Sequence, residues 1–97
     1  MTGTRRPVAV VILTWNALEW TKRCLAALRN CTDHPAWRLI VVDNGSTDGT
    51  VEWLGADGDL TLVTNGTNLG YSKGCNIGIA RRQAGEDVVL LNNDVVV

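Results

Sequence analysis

Three short stretches of the chain are apolar without interruption: residues 8–13 (VAVVIL), 39–42 (LIVV) and 88–91 (VVLL). Unbroken apolar runs of this length, rich in β-branched side chains, fit strands of a parallel sheet buried on both faces better than strands with one wet face. A fourth run, 60–63 (LTLV), shows the same character more weakly. The segments between them carry helical spacing. Strand and helix therefore alternate, which predicts an α/β fold: a Rossmann-like, mostly parallel four-stranded sheet with three helices.

The first helix is predicted to start at Asn16, with Glu19 three residues later reaching back as a capping box. Trp20, Cys24, Leu25 and Leu28 then share a face turned to the sheet. Trp37, after the His34-Pro35 turn, begins or flanks the second strand. The second helix is short, capped by Ser46 or Thr47, with Asp48 in its first turn where a carboxylate suits the helix dipole. It ends near Gly55, and residues 55–59 read as a connector. The third helix carries Gly70, Gly74 and Gly78 at four-residue intervals. Each glycine costs about 1 kcal/mol relative to alanine in a helix interior, so the bare face serves close packing or the approach of a ligand to the backbone. Both readings stand, with Gly70 and Gly74 better placed for a ligand because they lie near the strand ends.

The polar segments fall in one place on this framework. Thr14-Trp15-Asn16 follows the first strand, Asp43-Asn44-Gly45-Ser46 the second, residues 65–68 the third and Asn92-Asn93-Asp94 the fourth. All four lie at strand carboxyl ends, the edge of an open parallel sheet where ligands bind, most often where strand order reverses.

Composition narrows the partners. A chain of 97 residues, 45% hydrophobic and 20% charged, belongs to the soluble globular class and supports one core. A net charge of -1 lacks the basic footprint of a nucleic-acid binder, so any phosphate is held locally. Cys24, Cys31 and Cys75 form no CxxC pair, and an odd thiol would remain in any disulfide scheme, which favours a reduced compartment and three buried thiols. No apolar run approaches the roughly 20 residues that cross a bilayer, and Arg5-Arg6 is not followed by a signal-type segment. The expected location is cytoplasmic, with a peripheral position at the inner face of the membrane open to a complete protein. Residues 1–7 read as a flexible N-terminus and 8–97 as one domain portion.

Asp43 ends an apolar strand and is followed by a sharp turn. Its carboxylate can accept hydrogen bonds from a nucleobase imide or ribose hydroxyls; alternatively it stabilises its own turn. Asp94 can hold Mg2+ or Mn2+, since such ions take one or two carboxylates plus substrate phosphates and water; the alternative is a turn aspartate. Lys73 can neutralise a phosphate, with Asn68 and Asn76 hydrogen-bonding it, against the plainer readings of a solvated lysine, a cap and a loop tether. His34 sits in a connector away from this edge and is not read as a base. There is no GxGxxG after the first strand, no P-loop and no Ser-His-Asp order.

Four segments in this order, VAVVILTWN at 8–16, LIVVDNGSTDGT at 39–50, NLGYSKGCNIGI at 68–79 and VVLLNNDVVV at 88–97, resemble the inverting family 2 glycosyltransferases of GT-A fold. The resemblance covers the chain past residue 7. It implies that Thr14 and Asn16 line the base and ribose pocket, that Asp43 contacts the base with Ser46 at its margin, and that Asn92-Asn93-Asp94 is the counterpart of the DxD motif. Asp94 would bind the Mn2+ or Mg2+ that bridges the diphosphate, with Asn92 standing where the family has a first aspartate.

It further implies a nucleoside-diphosphate-sugar donor, UDP- or dTDP-linked, and a saccharide or lipid-linked acceptor in cell-wall or surface-polysaccharide synthesis. An acceptor hydroxyl, deprotonated by a carboxylate base, would displace the nucleoside diphosphate with inversion. The base and acceptor pocket normally lie downstream of the DxD segment, so the general base is expected downstream of Val97. The chain accordingly reads as an incomplete domain, truncated after that motif and inactive alone. The rival readings are a non-catalytic nucleotide-sugar-binding module and a flavodoxin-like signalling domain.

Overall fold

The computed structural model describes residues 7–31 and 37–92. Elements follow in the order β1 (Val8–Thr14), α1 (Leu18–Cys31), β2 (Trp37–Asp43), α2 (Thr50–Gly55), β3 (Leu60–Thr64), α3 (Tyr71–Ile79) and β4 (Asp87–Asn92). The strands form one parallel sheet in the order β3-β2-β1-β4. The chain steps outward from β1 through β2 to β3 and then returns to the far side of β1, so strand order reverses between β1 and β4. Register places Thr14 beside Asp43, Asp43 beside Thr64, and Leu13 beside Asn92. The strands therefore end nearly level, and the polar segments leave along one edge.

The unbroken apolar runs follow from two cores, one on each face of the sheet. Val10, Ile12, Leu39 and Val41 pack with Cys24, Leu25 and Leu28 of α1 and Leu54 of α2. Ala9, Val11, Ile40, Val42 and Val63 form the other core, with Ile77 of α3 against it. Successive strand residues point to opposite faces, so with helices on both faces the middle of β1 and β2 is apolar throughout. β4 is not buried on both faces as its run predicted: it is an edge strand, and Val89 and Leu90 are 42% exposed. Fully burying side chains such as Ile12, Leu25, Leu39 and Ile40 stabilises by about 1.5–3 kcal/mol each.

Two of the three glycines of the third helix are explained by packing. A Cβ on Gly78 would lie 2.5 Å from Val11 Cγ1 and 2.8 Å from Val42 Cγ2, and one on Gly74 would lie 2.6 Å from Leu13 Cδ1. The bare face lets α3 sit directly on β1 and β2, so Gly74 serves packing rather than ligand approach. Gly70 is not on that face. It precedes α3 with φ +85° and open space around it, so backbone conformation selects glycine there.

Three local expectations are corrected. Asn16 does not cap α1: the helix begins at Leu18, whose N–H donates to Asp48 Oδ2 at 3.1 Å, and Glu19 pairs instead with Lys22 at 3.5 Å. Asn16 is drawn away because its own side chain accepts from Thr47 N–H. Trp20 is 47% exposed, with the Arg23 guanidinium 5.4 Å from its ring centre. The buried stripe takes Thr21 in its place, which is possible because the Thr21 hydroxyl finds partners at the Ala17 carbonyl and Thr14 Oγ1, both 2.8 Å away. Neither Ser46 nor Thr47 caps α2. Gly49 in a left-handed conformation precedes it, and Asp48 Oδ1 accepts from both the N–H and the hydroxyl of Thr50.

At the amino edge, Arg38 of β2 holds Glu86, just before β4, through Nε at 2.7 Å and Nη2 at 2.9 Å. The same Nη2 donates to the Arg81 carbonyl at 2.8 Å. Gln83 N–H donates to Glu86 at 2.6 Å, so the α3–β4 connector is tied to the sheet. The Arg38 hydrogen bond holds the Glu86 carboxyl below the ordinary glutamate range. Among the described residues no helix is long and apolar enough to cross a membrane.

Two outcomes follow from this packing. Gly78→Ala should destabilise by about 1–3 kcal/mol through overpacking against two stiff valines, whereas Gly55→Ala, with nothing within 4 Å of its Cβ position, should shift stability by no more than about 0.5 kcal/mol; urea unfolding compares them. A carboxyl held below its unfolded value stabilises fully above that value and loses the contribution as pH falls through the folded one. The unfolding midpoint of Glu86→Gln should therefore trail wild type most near neutrality and converge with it once the pH falls below the ordinary glutamate range.

Candidate functional site

The carboxyl edge is organised by the two residues that end β2. The Asp43 carboxylate, buried in the turn it starts, accepts from Gly45 N–H at 3.1 Å, Ser46 N–H at 2.9 Å and the Ser46 hydroxyl at 2.6 Å. The aspartate thus closes its own turn. A carboxylate has about four acceptor positions, so three accepted bonds leave capacity for one further donor. Gly45 turns the chain at φ +89°, and a Cβ there would lie 2.9 Å from the Thr67 Cα, so the β3–α3 loop rests directly on it.

Ser46 also accepts from Asn16 N–H at 2.8 Å, and Asn16 Oδ1 accepts from Thr47 N–H at 2.7 Å. Asn16 adopts φ +48° to do so, a left-handed conformation that asparagine tolerates better than most residues. With Asp48 receiving Leu18 N–H, the loops after β1 and β2 are clasped at both ends. The Asp48 carboxyl lies below the ordinary aspartate range, held there first by the Thr50 hydroxyl and then by backbone amides.

Asn44 faces the other way and is 2% exposed. Its N–H donates to the Thr14 carbonyl at 2.9 Å, and its Oδ1 accepts from Asn65 Nδ2 at 2.7 Å. Its Nδ2 donates to the Gly70 carbonyl at 3.2 Å and reaches Asn68 Oδ1 at 3.4 Å. Asn68 in turn accepts from Gly70 N–H at 2.8 Å, and Asn65 N–H donates to the Asp43 carbonyl at 2.9 Å. The polar segments after β1, β2 and β3 are therefore one hydrogen-bonded network. Among the described residues no buried side-chain polar atom lacks a partner.

The sequence-derived site residues divide into three groups on this edge. Asn16, Asp43 and Ser46 meet in the clasp. Thr14 belongs with them through its carbonyl, but its hydroxyl is buried against Thr21 beneath the edge. Asn68 and Gly70 meet at the start of α3, with Lys73 exposed in its first turn. Asn92 closes β4 at the strand-order reversal. Asn93, Asp94 and Val97, like His34, lie outside the described residues. Asn76 is exposed on α3, away from the amide network.

Two residues of this edge were not singled out from the sequence. Asn44 was legible only as part of a polar segment, although amides at positions 44, 65 and 68, each able to donate and accept, are what cross-links between loops require. Trp15, between two polar neighbours, is 51% exposed, and an open indole at a polar edge is a stacking surface for a flat ligand.

Between α2 and the loops after β2 and β3 lies an open groove of 350 Å³ that includes Asp43, Ser46, Glu52, Thr64 and Gly66. A larger depression of 600 Å³ occupies residues 82–88 at the opposite edge, so volume does not locate the site; convergent polar groups do. Among the described residues no three histidines, cysteines or acids converge to form a metal cage.

A parallel sheet with helices on both faces, its carboxyl edge polar at a strand-order reversal, defines a Rossmann-like α/β domain. Residues 9–97 match the family described as Glycosyl transferase family 2, and the chain belongs to that family. It is 32% identical over 95 residues to the Sinorhizobium fredii protein named "Uncharacterized protein y4gI", covering 93% of this chain and 10% of that one. Among solved structures it is similar to the mannosyltransferase PcManGT of Pyrobaculum calidifontis in complex with GDP-Man and Mn2+. The TM-score is 0.81 and the identity 29%, over 94% of this chain and 28% of that one. It is also similar to S. aureus TarS 1-349, with TM-score 0.79 and 26% identity over 91% of this chain and 27% of that one. The chain thus spans under a third of the length of each of these relatives, and its fold is that of the GT-A glycosyltransferases.

The contact at Gly45 can be separated from its backbone conformation. Gly45→Ala should cost about 1–3 kcal/mol and expose the Asn65 amide to hydrogen exchange, because both strain and a clash with Thr67 apply. Gly66→Ala, at φ +74° but with open space around it, should cost only the conformational part, about 1 kcal/mol, and leave Asn65 protected.

Proposed function

We propose that the chain binds a nucleoside-diphosphate sugar along the carboxyl edge of its sheet, and that the protein carrying it transfers the sugar to an acceptor hydroxyl with inversion. The observation that carries this reading is the single hydrogen-bonded network joining the loops after β1, β2 and β3, beside the strand-order reversal between β1 and β4, in a family 2 chain. The nucleoside lies on the side of Asn16, Asp43 and Ser46, where Asp43 has capacity for one more donor, such as a base imide or ribose hydroxyl. Thr14 sets the position of that turn through its carbonyl, and the Trp15 indole supplies the stacking surface.

The diphosphate lies toward Asn68, Gly70, Lys73, Asn92 and Asn93. No side chain caps the start of α3, and uncapped N–H groups together with a lysine favour an anion. Asp94 would hold a divalent cation, Mn2+ or Mg2+, since such ions need only one or two protein carboxylates when substrate phosphates and water complete their shell. When bound, the cation offsets charge developing on the departing nucleoside diphosphate.

The acceptor hydroxyl attacks the anomeric carbon as the bond to the diphosphate oxygen breaks, and its proton passes to a carboxylate base assigned to none of these residues. A saccharide or lipid-linked acceptor of surface-polysaccharide synthesis suits this chemistry. The related PcManGT was solved with GDP-Man and Mn2+, so guanosine donors stand beside uridine and thymidine ones as candidates.

Calorimetric titration with UDP-, dTDP- and GDP-sugars, with and without Mn2+, tests the reading. One donor series should bind and Mn2+ should tighten it. Asp94→Ala should abolish the Mn2+ effect, and Trp15→Ala should weaken binding by about 1–3 kcal/mol regardless of metal. A Mn2+ effect that survives in Asp94→Ala removes that residue from its role.

A further inference from the structure

We propose that Asn44 is a positioning residue that couples the two halves of the donor site, holding the phosphate-side loop in register with the nucleoside-side turn. The proposal rests on the donor-binding reading above. The Asn44 amide is committed at both ends, its Nδ2 to Gly70 and Asn68 and its Oδ1 to Asn65, so the side chain acts through its neighbours rather than by touching a ligand. Its amide can point only one way. Nδ2 faces two oxygens, the Gly70 carbonyl and Asn68 Oδ1, while Oδ1 faces the Nδ2 of Asn65. Turning the amide over would set acceptor against acceptor and donor against donor.

What Asn44 holds is the start of α3. The Gly70 carbonyl that receives its amide also receives Gly74 N–H at 3.1 Å, the hydrogen bond that opens the helix. Asn68, the second acceptor, fixes Gly70 N–H at 2.8 Å and with it the left-handed turn before the helix. A Cβ on Gly74 would stand 3.2 Å from Asn44 Nδ2, so the helix is shaped around this side chain as well as around Leu13. Lys73 projects from the turn so anchored.

The nucleoside side does not need the Asn44 side chain. Asp43 is held by Gly45 and Ser46, and Ser46 by Asn16. The main-chain bond from Asn44 to Thr14 survives any substitution except proline. Losing the side chain should therefore disconnect one half of the site and spare the other.

The test measures, on the full protein in Mn2+ buffer, dissociation constants for uridine, thymidine and guanosine and for their diphosphates. Wild type, Asn44→Ala, Asn65→Ala and the double variant are compared. Asn44→Ala should bind the preferred diphosphate roughly tenfold more weakly while holding the matching nucleoside within about twofold. Asn65→Ala, which removes one bond of the network at a partly exposed position, should shift the same ratio less. The double variant should be no worse than Asn44→Ala, since both changes cut one linkage.

Equal weakening of nucleoside and diphosphate would reduce Asn44 to general stability and overturn the proposal, as would an unchanged diphosphate affinity. If Asn44→Ala does not fold, the ratio in Asn65→Ala decides alone: a selective diphosphate loss supports the coupling, and no selective loss overturns it. Wild type that binds neither nucleosides nor diphosphates overturns the donor-site reading and this proposal together, whereas normal wild-type binding with an unselective Asn44 effect overturns this proposal alone.

Discussion

A parallel sheet sends every strand out through the same edge, and the backbone groups beyond the last ladder bond must find other partners or water. Here the end of β2 supplies those partners in both directions. Asp43 folds back on its own turn and gives Ser46 to the β1 loop, while Asn44 reaches outward to Asn65, Asn68 and Gly70. β2 is flanked by β1 and β3, so the loop leaving it is the one loop among the described residues with a sequential neighbour on each side. A single dipeptide can therefore tie three loops, and the site depends on it.

The tie works only because α3 lies close to the sheet. A helix carrying ordinary side chains at positions 74 and 78 would be held off β1 and β2 by the width of those side chains, and the Gly70 carbonyl would move beyond reach of Asn44. Glycine in a helix interior lowers intrinsic helix stability by about 1 kcal/mol per residue. That cost is offset where the close approach buries Val11, Val42 and Leu13 against the helix backbone and completes a polar network that leaves no buried side-chain polar atom unpartnered among the described residues. Packing and polar satisfaction on this face are thus one arrangement.

Much of this was legible in the chain. The apolar runs located all four strands to within two residues at each end, most firmly in β1 and β2, where a run buried on both faces has no polar interruption to blur it; β3 and β4 are edge strands and only partly buried. The parallel order and the gathering of polar segments on one edge followed from alternation alone. Helix beginnings were less legible. Asn16 and Glu19 have the spacing of a capping box, yet Asp48, thirty positions along the chain, holds Leu18, since a partner brought by tertiary structure displaced a local one. Trp20 and Thr21 changed places for a related reason: the core position above Thr14 offered a hydroxyl, and a threonine with two partners fits there better than an indole. Asn44 was hidden because a buried amide leaves no periodic signal; its importance lies in what surrounds it.

The charge arrangement of the edge bears on how the proposed diphosphate would be held there. Asp43 and Asp48 are both engaged by hydrogen-bond donors of the chain: Gly45 and Ser46 satisfy Asp43, Leu18 and Thr50 satisfy Asp48, and the Asn16 N–H is taken by Ser46. Those donors are spent on the fold rather than offered to a phosphate. Of the residues proposed for the phosphate side only Lys73 is cationic, and an uncapped helix start adds on the order of 0.3–1 kcal/mol for an exposed anion. A lysine and a helix terminus at a water-facing edge compensate poorly for a doubly charged group, since exposed pairs contribute about 1 kcal/mol or less. On the proposed reading a divalent cation beside the diphosphate would supply the missing charge, so the donor site calls for a metal at this edge, and Asp94 is the carboxylate assigned to hold it.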